Sequence, residues 1–279
     1  MAFLSSDFAQ NEISQYTRLM KEYINLEQRM VEMNRTHIFL LGALLSWGAT
    51  AGTMGQSDHS YAWQPLVDLS VGPAWSNSGE TQTFYLQPDV EKTYTANKNI
   101  PAFVNWEVFL GGQHNLGVNY LGQLGIAVQG AGNATLSGDV WEDADPDFNN
   151  FIYSYNINHV AVALKGKLIG YPSFYVQPYI SGSAGVGFNH SYAFAILPKI
   201  SAEIPAPNFT NNTTTTFSYT LGIGLQKTFY THYQIGVGYE FDDWGKSNLS
   251  AAPLQSENQG LSLQHLYAHQ LQFTIGYIA

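Results

Sequence analysis

The stretch FSYTLGIGLQKTFYTHYQIGVGYEF, Phe217 to Phe241, decides the fold. Every second residue from Phe217 is apolar: Tyr219, Leu221, Ile223 and Leu225. Between them stand Ser218, Thr220, Gly222, Gly224 and Gln226. A short turn follows, and the alternation resumes with Tyr233, Ile235, Val237, Tyr239 and Phe241 against Gln234, Gly236, Gly238 and Glu240. A period of two is the pattern of a strand with two unlike faces, and two such runs across a short turn read as a hairpin. In a soluble sheet the outer face is charged. Here the polar row is small and uncharged but for Glu240, which suits the filling of a narrow barrel. The apolar row is aliphatic at its middle and aromatic at its ends, with Phe217, Tyr219, Tyr239 and Phe241 at one end and Phe229, Tyr230 and Tyr233 at the other. That is how a strand meets a bilayer.

The same alternation recurs along the chain. It predicts strands over about 63–75, 102–111, 118–130, 151–167 and 174–188, then the opening hairpin, then about 266–279. These make an all-β, eight-stranded antiparallel up-and-down transmembrane β-barrel. Each run is near the ~9–11 residues that cross a bilayer at a tilt. Short connections follow strands two, four and six. Long ones are expected at about 76–101, 131–150, 189–216 and 242–265, an arrangement of short turns on one side and long loops on the other. Pro178 on the outward row removes a ladder donor, so a bulge is expected there. Thr210 to Thr216, beyond Pro198, Pro205 and Pro207, reads as a mobile loop tip. The glycines at 185, 222, 224, 236 and 238 would relieve crowding inside the barrel. The inward charges Asp68, Glu107, Lys165 and Glu240 need partners, since an unpaired buried charge is costly. A network of Lys165 with Glu107 or Glu240 would plug the lumen, as a structural element.

Bulk composition agrees. Of 279 residues only 11% are charged and 14% are aromatic, yet the mean hydropathy is −0.13, so the low charge does not come from long apolar runs. Alternating strands average out in any window. There is no cysteine, which excludes disulfides and thiolate metal sites. The net charge of −10 argues against nucleic acid.

Residues 33–51, MNRTHIFLLGALLSWGATA, have a weakly basic start, a short apolar run and the small-x-small ending Ala49-Thr50-Ala51. They read as a secretory signal peptide cleaved between Ala51 and Gly52. The apolar run is too short for a spanning helix. Residues 1–32 contain a helix-like pattern capped at Ser6 or Asp7 and read as an upstream extension, with translation starting at Met33. Residues 52–279 are then the barrel, with seven lysines, no arginine and sixteen acids.

With the strands placed, SYTLGIGLQKTFYTHYQIGVGYEF resembles the penultimate hairpin of OmpA-like and opacity-type outer-membrane β-barrels, and PYISGSAGVGF resembles their preceding strand. The resemblance spans about Trp63 to Ala279. It implies a bacterial outer-membrane protein serving as an adhesin, envelope protein or small pore. It also implies lipid and lipopolysaccharide, the barrel-assembly machinery and a host or envelope surface ligand as partners. Such chains end in an aromatic residue, whereas here Ile278 and Ala279 follow Tyr277.

Three sites invite chemistry. Asp143, Asp145 and Asp147 start like a calcium loop, but Phe148 stands where glycine belongs and Ser154 where glutamate does, so no EF-hand is expected. His190-Ser191 and Tyr267-Ala268-His269 suggest a lipid-cleaving enzyme, yet adjacent strand residues point to opposite faces and form no nucleophile–base pair. Asn133, Asn208 and Asn248 lie in glycosylation-like triplets that read as polar loop sequence. No cofactor site is read from the sequence. A lipocalin-like soluble barrel is the rival fold, and it would need the two rows reversed.

Overall fold

The computed structural model describes residues 63–77, 79–98, 101–170, 175–201 and 203–279. The expected signal peptide, the Ala51/Gly52 cleavage position and the upstream extension lie outside these residues. The strands are β1 (Gln64–Ser76), β2 (Gln82–Gln87), β3 (Val90–Tyr94), β4 (Phe103–Asn115), β5 (Tyr120–Glu142), β6 (Asn149–Gly170), β7 (Gln177–Pro198), β8 (Asn212–Phe229), β9 (Tyr233–Asp243), β10 (Ser247–Asn248), β11 (Ser262–Leu263) and β12 (Tyr267–Ile278).

Eight of them close on themselves. Antiparallel ladders run β1–β4–β5–β6–β7–β8–β9–β12, and β12 pairs back onto β1 through Leu66↔Ile278 to Ser76↔Ala268. Closure removes the free edges that an open sheet exposes. Apolar side chains form an outward belt: Ile223 is 61% exposed, Ile275 68% and Val162 47%. The inward row is buried and mainly polar, with a small apolar cluster of Leu66, Phe109, Ala127 and Ile278 within it. The rows therefore face as a lipid-spanning barrel requires and opposite to a lipocalin. Tyr233 and Tyr277 meet at 5.5 Å at one rim of the belt, and Phe241 and Tyr267 at 5.5 Å at the other.

The connections differ from expectation. The 131–150 and 189–216 segments are largely strand, because β5, β6 and β7 continue well past the belt. Two bulges allow this. Ala131 pairs with His159 but Ala134 with Ile157, so β5 carries one extra residue there. Ser154 pairs with Ala195 but Asn156 with Tyr192, so β7 carries one too, at Ala193, whose φ is 55°. An inserted residue flips which face of the strand is inward. Below the bulges the inward row is mainly polar. Above them it is Leu136 and Val140 on β5 and Phe194 and Ile196 on β7, facing Tyr153, Tyr155 and Ile157 of β6.

These strands carry a head with its own apolar core, completed by Leu86, Tyr94, Phe209, Trp244, Leu249, Leu261 and Leu263. The β2–β3 hairpin joins the sheet by pairing β3 with β5. The outer edge of β2 is covered by the β10–β11 connection, where Ser256 N donates to Leu86 O and Asn258 Nδ2 to Tyr85 O. Covering an edge strand in this way prevents edge-to-edge pairing.

Two local expectations fail. Pro178 pairs in continuous register with Leu225, and there is no bulge, because the β6 ladder ends one residue later at Tyr179 and the missing donor is not required. Thr213 to Thr216 belong to β8 rather than to a mobile tip, since they extend the β7 ladder up to Ser191↔Asn212. At the opposite end Tyr230 and Thr231 both have positive φ, 49° and 63°, in the turn closed by His232 N donating to Phe229 O. Asn-Gly suits such a turn far better. Tyr230→Asn combined with Thr231→Gly is expected to stabilise the hairpin by about 1 kcal/mol, read as a rise in the urea midpoint of the refolded protein.

Candidate functional site

The candidate site is the lumen and the head that closes it. Glu107 on β4, Lys165 on β6 and Glu240 on β9 share the inward row, and the barrel is narrow enough for them to meet. Lys165 Nζ donates to both oxygens of Glu107 at 2.8 Å and to Glu240 Oε2 at 2.8 Å. Gln270 and Gln272 each donate to Glu240 Oε1 at 3.0 Å. Asp68 is not part of this group: it takes Lys167 Nζ at 3.2 Å. The two ion pairs are neighbours, and the cavity lined by Asp68, Glu107, Lys165 and Lys167 holds about 10 Å³, roughly one water. The inward glycines serve this packing. A Cβ at Gly224 or Gly238 would fall 2.5 or 2.2 Å from the Tyr179 hydroxyl, so Tyr179 fills the lumen beside Lys167, whose ammonium lies 4.9 Å from its ring.

A second closure lies above the plug. Trp244 follows the last residues of β9 and turns inward, fully buried. Its indole stacks on His159 at 4.7 Å with the planes 3° apart. Asn189 on β7 pins the segment: its side-chain oxygen lies 2.7 Å from His159 Nδ1, and its Nδ2 donates at 2.8 Å to the carbonyls of Trp244 and Lys246. Gly245 between them has φ 71°, and a Cβ there would lie 2.5 Å from Phe217 O. The His159–Asn189–Trp244 group escaped sequence reasoning. Its one signal is an inward Asn and His on neighbouring strands, which alternation places but does not bring together with a loop tryptophan.

The head is fastened by ion pairs away from the belt. Lys199 lies 2.9 Å from Asp139, and Lys92 2.9 Å from Glu142. Burial pushes both carboxyls up. For Asp139 this is outweighed by hydrogen bonds from Lys199 and Asn149, and for Glu142 by those from Lys92 and Asn150, so both sit below the usual carboxylate range. A carboxyl depressed in the folded state stabilises it above the unfolded value and ceases to do so as pH falls through the folded one. Acidification below the ordinary Asp and Glu range is therefore expected to lower the amide protection factors across 139–150, taken against the intrinsic exchange rate at each pH, before it affects those of the belt strands.

The remaining sequence candidates are placed as follows. Ser191 points inward and is buried, whereas His190 points outward and its Nδ1 lies 2.8 Å from Thr213 Oγ1, so the two do not meet. His269 faces out, its Nδ1 2.6 Å from the Tyr239 hydroxyl. Asp145 caps the short 3-10 turn Pro146–Phe148 by accepting from Asp147 N at 2.9 Å, and Asp143 and Ala144 have positive φ. Among the described residues no group of three His, Asp or Glu side chains is gathered as for a metal ion.

No protein-family model matches the chain, and no curated protein matches it. Solved structures do. The outer membrane protease OmpT of Escherichia coli aligns at 7% identity and a TM-score of 0.48, covering 80% of this chain and all of that one. The outer membrane protein OprG of Pseudomonas aeruginosa aligns at 10% identity and a TM-score of 0.45, covering 78% and 98%. Neisserial surface protein A aligns at 8% identity and a TM-score of 0.39, covering 77% and 96%. At these values the closed eight-strand register, and not the likeness, identifies the chain as an up-and-down β-barrel.

Proposed function

We infer that the chain is an outer-membrane β-barrel of a Gram-negative bacterium whose head is a surface-interaction module. The observation that carries this reading is the inversion of the two faces: aliphatic side chains point outward in a belt between aromatic rims, while ion pairs and amides fill the inside. Such a belt is stable against lipid and would be an aggregation hazard in water. Outer-membrane phospholipid and lipopolysaccharide are then its surroundings, the barrel-assembly machinery its route there, and the head the part presented outside. Spin labels at Ile223 and Val237 test the placement, and they should report acyl chains. Contact with water instead would refute it.

A role in surface contact is favoured over a pore by the two closures. An eight-stranded barrel leaves an interior that side chains fill, and here the Lys165 plug and the Trp244 cap both cross it. Planar-bilayer recordings of refolded protein should show no reproducible unitary current. Stable unitary conductance at neutral pH would favour the pore. The ligand of the head is expected to engage its polar rim. Binding screens with and without residues 82–94, the β2–β3 hairpin, test that.

A further inference from the structure

Beside the plug lies a carboxylate with no cation of its own. Asp242, on β9, points inward and is 0% exposed. Its Oδ2 accepts from Gln270 Nε2 at 2.9 Å and from Asn105 Nδ2 at 3.4 Å. The same Gln270 nitrogen donates to Glu240 at 3.0 Å, so one amide stands between two carboxyl groups. Asp242 Oδ1 has no hydrogen-bond partner, and neither has Asn105 Oδ1, on a side chain 4% exposed. Both are acceptors when Asp242 is ionised, so neither can satisfy the other.

The charges around Asp242 make this worse. The charged groups facing it are Glu240 from its own strand, Glu107 from β4 and Lys165 from β6. The neighbouring strands contribute only Thr220 of β8 and Ala268 and Gln270 of β12. Lys165 is already committed to Glu107 and Glu240. With all three acids ionised this layer of the lumen would hold two uncompensated negative charges, shielded from bulk water. Buried ions in that state take up a neutralising partner instead.

We propose that Asp242 is a proton-binding site: it holds a proton on Oδ1 in the folded barrel at neutral pH and directs it to the side-chain carbonyl of Asn105. One proton gives both orphaned oxygens a partner, removes one of the two excess charges, and leaves the Lys165 ion pairs intact. The layer then consists of one lysine, two carboxylates and one neutral acid. A metal ion would answer the same charge, but Asp242 and Asn105 offer it only two free oxygens, fewer than a hard cation takes.

Infrared difference spectra of the refolded full chain in lipid vesicles test this directly. A protonated-acid C=O band is expected at neutral pH, abolished in Asp242→Asn and lost from the parent protein on alkaline titration. Its absence at neutral pH, or its persistence in Asp242→Asn, overturns the proposal. Stability gives a second reading. Asp242→Asn keeps a donor where the proton sits, so its urea midpoint should match the parent's, while Glu240→Gln, which strips a partner from Lys165, should lower it. An Asp242→Asn midpoint that falls as far as that of Glu240→Gln overturns the proposal. So does a parent midpoint that follows sodium when sodium is exchanged for N-methylglucamine at fixed ionic strength, since the site would then hold a metal cation.

Discussion

Lys165→Met is expected to destabilise the barrel by about 3–5 kcal/mol, the cost of leaving buried partner charges uncompensated. Lys165 makes the central contacts of the plug, bonding Glu107 through both oxygens and Glu240 through one, with 5% or less of each side chain exposed. Methionine fills the same volume, so no cavity complicates the result. What remains is two carboxylates facing each other without a cation. The loss corresponds to a factor of roughly 10²–10⁴ in the folding equilibrium, large enough to appear as a lowered urea midpoint by tryptophan fluorescence. The controlling variant is the triple change Lys165→Met, Glu107→Gln and Glu240→Gln. A neutral layer of similar shape is often as stable as the ion pairs it replaces, so most of the loss should be recovered. If the single variant unfolds with the parent's midpoint, the ion pairs do not hold the lumen.

Alternation made much of this fold legible. Every belt strand shows it, and a strict period of two assigns each side chain to lipid or to lumen from a single reference such as Ile223. The parity of Glu107, Lys165 and Glu240 sets them all inward. It could not say that Asp68 would turn to Lys167 instead, since that depends on the stagger between strands, fixed by Ile126↔Leu164 and its neighbours across the whole ladder. The head was illegible for a different reason. An extra residue near Ala131 and another at Ala193 reverse the parity of β5 and β7, so a reader following one row sees the pattern stop and infers a loop. Glycine does not mark the bulges: Gly132 lies in the β5 bulge but is one of many strand glycines, and in β7 Ala193 takes φ 55° without one. Nor did the polar, proline-bearing sequence of 242–265 announce that it folds inward. Trp244, Leu249, Leu261 and Leu263 are spaced without a helix or strand period, and their burial appears only when β5, β6 and β7 stand above the belt to receive them.

That dependence makes Trp244 the second position where one substitution should act strongly. Trp244→Ala removes a fully buried indole that stacks on His159 and lies 5.4 Å from the Phe103 ring. Truncating a large buried aromatic costs about 3–5 kcal/mol. Here the cost should fall on the cap more than on the barrel, because the belt ladders do not pass through Trp244. The expected result is local: the 244–266 segment lifts, Lys246 becomes a tryptic cleavage site in folded protein, and amide exchange rises in β10 and β11 while β8, β9 and β12 stay protected. Asn189→Leu separates the two causes. It keeps the indole but removes the amide that holds the Trp244 and Lys246 carbonyls, leaving two acceptors unsatisfied at about 1–3 kcal/mol each. If both variants open Lys246 to trypsin, the cap is held by stacking and pinning together. If Trp244→Ala instead melts the belt along with the head, cap and barrel form one cooperative unit, and the head cannot move independently of the wall that carries it.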